Sequence, residues 1–351
     1  MPFQNRFMQP VLETEAACIA EKRPRNLESR TGTQATLDPQ GATHTAVSVT
    51  RITYHGWPDC FLIANGEVEA VVVPAIGRVM QLRLAGEADG AFWENRPLDG
   101  QLHAPTSAEW INFGGDKCWP APQSDWAPQQ GHDWPPPVAF DSSPVEAVAA
   151  ESGVVLISSV DSAFGIQVVR HVELDVKAPV MRIRTEYRKL AGPSVAVSVW
   201  TITQMHEPER IFLPLKQDSK VRGGHIRLID AEPEGLRIED GLLSLVRHPI
   251  LYTKIGSDSA SMVWVGHKLV VRIDAETGRG EYPDGGCLTE VYTNPDPLPY
   301  VELETLGPLA AMRAGDRIER TTTYTIIPRS GQDPEAEARK ILASRQDSRH
   351  G

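Results

Sequence analysis

The chain has 351 residues, 23% of them charged and 41% hydrophobic, a formal net charge of −11 and a sequence pI near 5.4. That acidic balance, with no cluster of Lys and Arg, excludes the basic footprint of a nucleic-acid binder. No apolar run approaches the ~20 residues of a membrane span, so neither a nucleic-acid nor a membrane partner is expected.

Residues 1–45 carry no sustained period of 2 or 3.6 and read as a disordered N-terminal arm. Their start lacks the apolar core of a secretory signal, so a cytoplasmic location is expected. From Ala46 the pattern changes to short β-rich runs, and strands are predicted over 46–54, 59–65, 68–75, 78–84, 153–160, 165–174, 180–190, 195–203, 261–274, 300–306 and 320–327. In 167–174 one face is mixed and the other apolar, as in a half-buried strand. Asn-Gly, Gly-Pro and Pro-Asp-Gly-Gly turns separate the runs. Many strands with few helical stretches imply an all-β fold of antiparallel sheets packed face to face, over 46–330. One helix is predicted in the 331–351 tail, where Asp333, Pro334 and Glu335 supply a cap, an N1 proline and an acid.

The interval 94–140 is rich in Pro, Trp, Asp and Gln, and reads as an ordered loop over one end of the sandwich. Its centre, INFGGDKCWPAPQSDW at 111–126, has too much Pro and Gly for a regular strand yet carries much chemistry. Aromatic faces of Trp119 and Trp126 suit the CH face of a sugar, while Asn112, Asp116, Lys117 and Gln123 suit its hydroxyls or an anionic substituent. The run VSVWTITQMH then brings Gln204, a candidate hydroxyl ligand, and His206, a candidate proton carrier.

A third cluster holds Asp284, in a turn and counted with the substrate-binding set, and the strand carboxylates Glu290, Glu302 and Glu304. Glu302 and Glu304 share parity and so one face. A carboxylate on the inner face of a sheet must be paired or line a wet cavity. The cysteines Cys18, Cys60, Cys118 and Cys287 form no CxxC pair and read as buried free thiols. With no HExxH, DxDxDG, P-loop or GxSxG pattern, neither a metal nor a cofactor is expected.

Three segments together resemble the galactose mutarotase-like (aldose 1-epimerase) superfamily: ANGEVEAVVVPAIGRVMQLRL, NFGGDKCWPAP and YVELETLGPLAAMRAGDRIERTTTYTI. The middle one is similar to the GG-x-P-x-x-W/F-P loop of its hexose-phosphate epimerase branch. Together with YPDGGCLTEVYTN, GGDKCWPAPQ resembles an uncharacterised bacterial branch. The likeness runs from about residue 46 to 328 and implies a β-supersandwich, to which the capping signal at Asp333 adds a short C-terminal helix.

It further implies acid–base ring opening at the anomeric carbon of a small-molecule carbohydrate, with Glu304 of the L-E-T match as general base. The family's acid is a His in Thr-Asn-His. Here Thr203-Gln204-Met205-His206 puts the histidine one residue late, which turns a strand side chain to the opposite face unless a bulge intervenes. Lys117 or Asp116 would then serve as acid. The resemblance also leaves room for a non-catalytic carbohydrate-binding protein, or for an oligosaccharide lyase or hydrolase on the same fold. The oligomeric state is open.

Overall fold

The computed structural model describes residues 46–103, 109–231, 233 and 235–344. The expected N-terminal arm, Cys18 and the end of the tail lie outside the described residues.

Two antiparallel sheets, of 11 and 10 strands among the described residues, pack face to face. The larger runs Ser48–Tyr54, Trp57–Ala64, Val68–Val73, Arg78–Leu84, Asp116–Ala121, Val195–His206, Tyr300–Leu306, Thr289–Thr293, Thr253–Ser257, Ile226–Arg227, and Ala310–Met312 also pairs with Val195–His206. The smaller runs Arg237–Glu239, Leu242–Leu245, Arg210–Pro214, Ser261–Val265, Leu269–Ala275, Arg317–Pro328, Val180–Lys189, Ile166–Leu174, Gly153–Val160, Glu146–Ala150. The all-β sandwich expected from the turn-separated apolar runs is therefore present. The predicted run 261–274 is a hairpin of two strands, and the helix spans Pro334–Ala343 with the Asp333 side chain accepting from the Glu335 amide. No described helix is long and apolar enough to cross a membrane.

Apolar side chains from both sheets, among them Phe61, Ile63, Val72, Leu82, Val172, Ile183, Ile273 and Leu303, fill the interior. Cys60, Cys118 and Cys287 are buried free thiols, and burial pushes those of Cys60 and Cys118 up to about 11.

The interval 94–140 departs from its sequence reading. Within it, Asp116–Ala121 is an interior strand of the larger sheet, paired with Val195–His206 along its length and with Arg78–Leu84 at Asp116 alone. Proline is tolerated there because of which way its backbone faces. Pro120 stands opposite Val199, whose carbonyl accepts from the Gly307 amide on the other side at 2.9 Å. The Val199–Pro120 pair is thus one that needs no ladder donor from proline. The Pro120 carbonyl, turned away from Val199, accepts the Trp126 indole N–H at 2.7 Å.

Strand alternation sends Asp116 into the interior between the sheets. There it pairs with Arg170 of the facing sheet, and its Oδ2 accepts the Thr203 and Tyr324 hydroxyls, each at 2.7 Å. This corrects the reading of Asp116 as a sugar ligand or acid: both its oxygens are committed inside the sandwich. Arg170 sits on the face of its strand read as apolar, and Asp116 is the reason it can. Removing one partner of a buried ion pair leaves the other charge uncompensated, at about 3–5 kcal/mol. Asp116→Asn is therefore expected to lose about that much stability in denaturant unfolding, and a loss below about 1 kcal/mol, the range of surface pairs, would contradict this role.

Candidate functional site

If Asp116 and Cys118 face the interior, Lys117 and Trp119 must face outward. The ladder aligns a row of side chains on that outer face. Lys117 is opposite Ile202, Trp119 opposite Trp200, Gln204 opposite Glu302, and Ile202 opposite Glu304. Across the next strands Glu304 is opposite Glu290, Glu302 opposite Tyr292, Tyr292 opposite Lys254, and Glu290 opposite Gly256. Glu302 and Glu304 share this face, as their spacing predicts.

Five charged groups meet here: Lys117, Lys254, Glu290, Glu302 and Glu304. Lys117 Nζ donates to Glu302 Oε1 at 3.3 Å, where Gln204 Nε2 also donates at 2.9 Å. Lys254 Nζ lies 2.7 Å from Glu290 Oε2 and 2.9 Å from Glu304 Oε2, and the Trp200 indole donates to that same Glu304 oxygen at 2.6 Å. Each ammonium also stands over an indole, Lys117 at 4.9 Å from the Trp119 ring and Lys254 at 4.7 Å from that of Trp200.

Burial sets the protonation. Desolvation lowers the Lys117 amine, with Glu302 opposing it. For Lys254 burial works against the charge, but Glu290 and Glu304 outweigh it and raise the amine. Desolvation raises Glu290 well above its ordinary value and also raises Glu304, in each case against the pull of Lys254.

Several buried polar atoms of this region accept or donate no hydrogen bond among the described residues: Oε1 of Glu304, both carboxylate oxygens of Glu290, whose Oε2 has only the ion-pair contact with Lys254, Oε1 of Gln204, and both amide atoms of Asn112. Buried polar atoms are nearly always satisfied, so a cluster of exceptions facing one surface has the chemistry of a site for hydroxyls or ordered water. Tyr300 lies close to Asn112 and Gln204, and burial raises its hydroxyl pKa.

The sequence-derived candidates do not all come together. Glu304, Gln204, Lys117 and Asn112 come together around this face. Trp119 borders it but is only 4% exposed, ringed edge-on by Trp110, Trp126, Trp134 and Trp200 at centroid distances of 5.3–6.4 Å. Its indole N–H is held by Asp141 at 2.8 Å, and Trp126 is wholly buried. These two rings are packed into a tryptophan cluster rather than presented flat to solvent. Gln123 sits half-buried in the turn Gln123–Asp125 beyond the strand and takes no part in the lysine–carboxylate contacts. Asp284 is half-buried in the turn Pro283–Gly286, near enough to raise Glu290 further.

His206 is exposed at the end of its strand, opposite Tyr300. The register from Trp200 to His206 runs without a bulge, so His206 shares the parity of Gln204, and it is the buried Met205 that turns inward. The separation from Glu304 is along the strand: four residues past Ile202, roughly 13 Å.

Two participants, Lys254 and Trp200, escaped the sequence reading. Lys254 lies in TKIGS, too short and Gly-containing to announce a strand. Trp200 had a signal, its shared parity with Gln204. Glu290 was visible as a strand carboxylate, but the strand Thr253–Ser257 on its other side was not.

Gly256 makes room for the turn that folds over this face: a Cβ there would lie 2.3 Å from Cys287 Sγ. Overpacking of this kind costs about 1–3 kcal/mol. Gly256→Ala is expected to lower the thermal midpoint accordingly, and Cys287→Ala to recover part of the loss. A Gly256→Ala protein that melts with the wild type would show that the turn does not pack here.

A family model described as a domain of unknown function, DUF4380, matches residues 61–263, more than half of the chain. The matched segment contains Lys117, Trp200, Gln204 and Lys254 and stops before the three carboxylates. No protein with a curated description matches the chain in sequence. Solved structures similar in fold include YeaD from Salmonella typhimurium, a candidate mutarotase, with TM-score 0.52 and 14% identity over 82% of this chain and 96% of that one. The Slr1438 protein from Synechocystis sp. PCC 6803 gives 0.51 and 14% over 79% and 99%. A galactose mutarotase-like protein from Lactobacillus casei ATCC 334 gives 0.51 and 9% over 76% and 100%. At such identities the likeness is one of fold. The chain belongs to the DUF4380 family and has the galactose mutarotase-like β-sandwich fold.

Proposed function

We propose that this protein binds a sugar on the outer face of its larger sheet and catalyses ring opening and closure at the anomeric carbon, with Glu304 as general base. One observation carries the reading: the carboxylate of the L-E-T segment is 1% exposed, held by Lys254 and Trp200 through one oxygen, and has its other oxygen unpartnered. A base so oriented has one fixed lone pair to offer a hydroxyl proton. Asn112 and Gln204 supply further hydroxyl partners, and the sugar enters beside Lys254 and Glu302, whose side chains keep 17% and 11% exposure.

Lys117 acts here through Glu302 rather than as a free receptor for an anionic substituent, because it is fully buried and paired. A hydrolase would set two carboxylates on opposite flanks of a glycosidic bond. Glu290 and Glu304 stand side by side on one floor. The distance of His206 from Glu304 favours a second reading, non-catalytic carbohydrate binding, since no imidazole stands beside the base.

Freshly dissolved α-anomers of several aldoses, followed by anomeric NMR or optical rotation, separate the two. Faster equilibration that Glu304→Gln reduces by about 10²–10⁴-fold is the expected outcome. No acceleration, with the same sugars still shifting tryptophan fluorescence, would replace the enzyme with the binding protein. Lys117→Met is expected to weaken neutral and phosphorylated sugars alike, measured by fluorescence titration, and selective loss of the phosphorylated one would restore Lys117 as an anion receptor.

A further inference from the structure

We propose that Glu290 is the general acid of this site and shares a single proton with Glu304. The inference rests on the ring-opening reading and supplies the acid that His206 is too distant to provide. Glu290 and Glu304 are directly opposed across neighbouring strands and are bridged by one ammonium, Lys254 Nζ, at 2.7 and 2.9 Å. Like charges directly opposed in a buried site cannot both ionise. One proton on the pair leaves one carboxylate against one ammonium, which is the neutral arrangement for a desolvated floor.

The surroundings say which carboxyl keeps it. Glu304 Oε2 accepts from both Lys254 and the Trp200 indole, two donors that favour the anion. Glu290 has Lys254 alone as an ion-pair partner, and the negative charge of Asp284 in the covering turn works against its anion. The groups around the pair are Lys254 on one strand, Glu302 beside Glu304, Tyr292 beside Glu290, the Trp200 indole, and Asp284 and Cys287 from the turn. Of the two ammoniums on this face only Lys254 contacts the pair, since Lys117 is paired with Glu302. The proton therefore stays on Glu290, and the upward displacement of both carboxyls by burial agrees with it. Glu304 retains one oxygen, Oε1, without a hydrogen bond, and Glu290 accepts none on either oxygen.

The step balances without a co-reactant. Glu290 gives its proton to the ring oxygen, the bond from C1 to that oxygen breaks, and its electron pair stays on the oxygen as a hydroxyl. Glu304 takes the proton of the anomeric hydroxyl, whose O–H pair becomes the second bond of the C1 carbonyl. After rotation about C1–C2 the hydroxyl attacks the other face, Glu290 recovers its proton and Glu304 returns the other.

The sign of the pH dependence follows. An acid whose pKa is raised stays protonated through the ordinary carboxylate range and is lost as pH rises through its folded value. Turnover is expected to persist at neutral pH and fall on the alkaline side.

The test is anomer exchange by NMR for wild type, Glu290→Gln and Glu304→Gln across pH, with circular dichroism melts. Glu290→Gln is isosteric with the protonated acid and leaves the Lys254–Glu304 pair in place. It is expected to lower kcat about 10²-fold, with KM within a few-fold, and to abolish the alkaline fall. An inactive Glu304→Gln beside a Glu290→Gln within a few-fold of wild type would overturn the acid and leave the base standing. A wild type that accelerates no aldose would overturn both readings. Should Glu290→Gln not fold, the wild-type profile decides: an alkaline fall in kcat supports the shared proton, and a flat profile overturns it.

Discussion

The Asp116–Arg170 pair is the constraint on which the site depends. It ties the larger sheet to the smaller one through the interior, reinforced by Thr203 from one side and Tyr324 from the other. Once Asp116 is committed inward, strand alternation leaves its neighbour no choice. Lys117 must point outward, Trp119 with it, and the ladder then brings Gln204, Glu302 and Glu304 into the same row. A one-residue slip would bury Lys117 among apolar side chains and expose the charge that pairs with Arg170. The register is thus specified by electrostatics as strongly as by apolar packing.

The outer face has its own balance. Three carboxyls and two ammoniums taken out of water are tolerable only because each has an opposite partner or a proton. Two indoles lie against the ammoniums, where the ring face favours the cation. The tryptophans therefore shape the site by packing and by holding lysines and a carboxylate, instead of stacking on a ligand. The polar atoms left over are those of Asn112, Gln204, Glu290 and Glu304, and they define what a hydroxylated ligand would complete.

The fold was largely legible in the sequence. Runs such as 78–84, 153–160 and 300–306 match strand boundaries, because alternation and turn residues act locally. The cap at Asp333 was legible for the same reason. The interval 94–140 was not: Gly, Pro and Trp there signal a loop, yet Pro120 falls where the ladder asks for no donor, a fact carried by the partner strand. Thr253–Ser257 escaped because Gly256 and a five-residue length give no pattern.

For the site, the sequence determined the residue types and the parity that puts Glu302, Glu304 and Gln204 on one face, since those depend only on the two-residue period of a strand. Tertiary structure decided the rest. It turned Asp116 from ligand to inter-sheet anchor, enclosed Trp119, left His206 at a strand end, and set Glu290 against Glu304 with Lys254 between them. Each of these is a question of which strand lies beside which, and pairing between segments dozens of residues apart leaves no local mark on the chain.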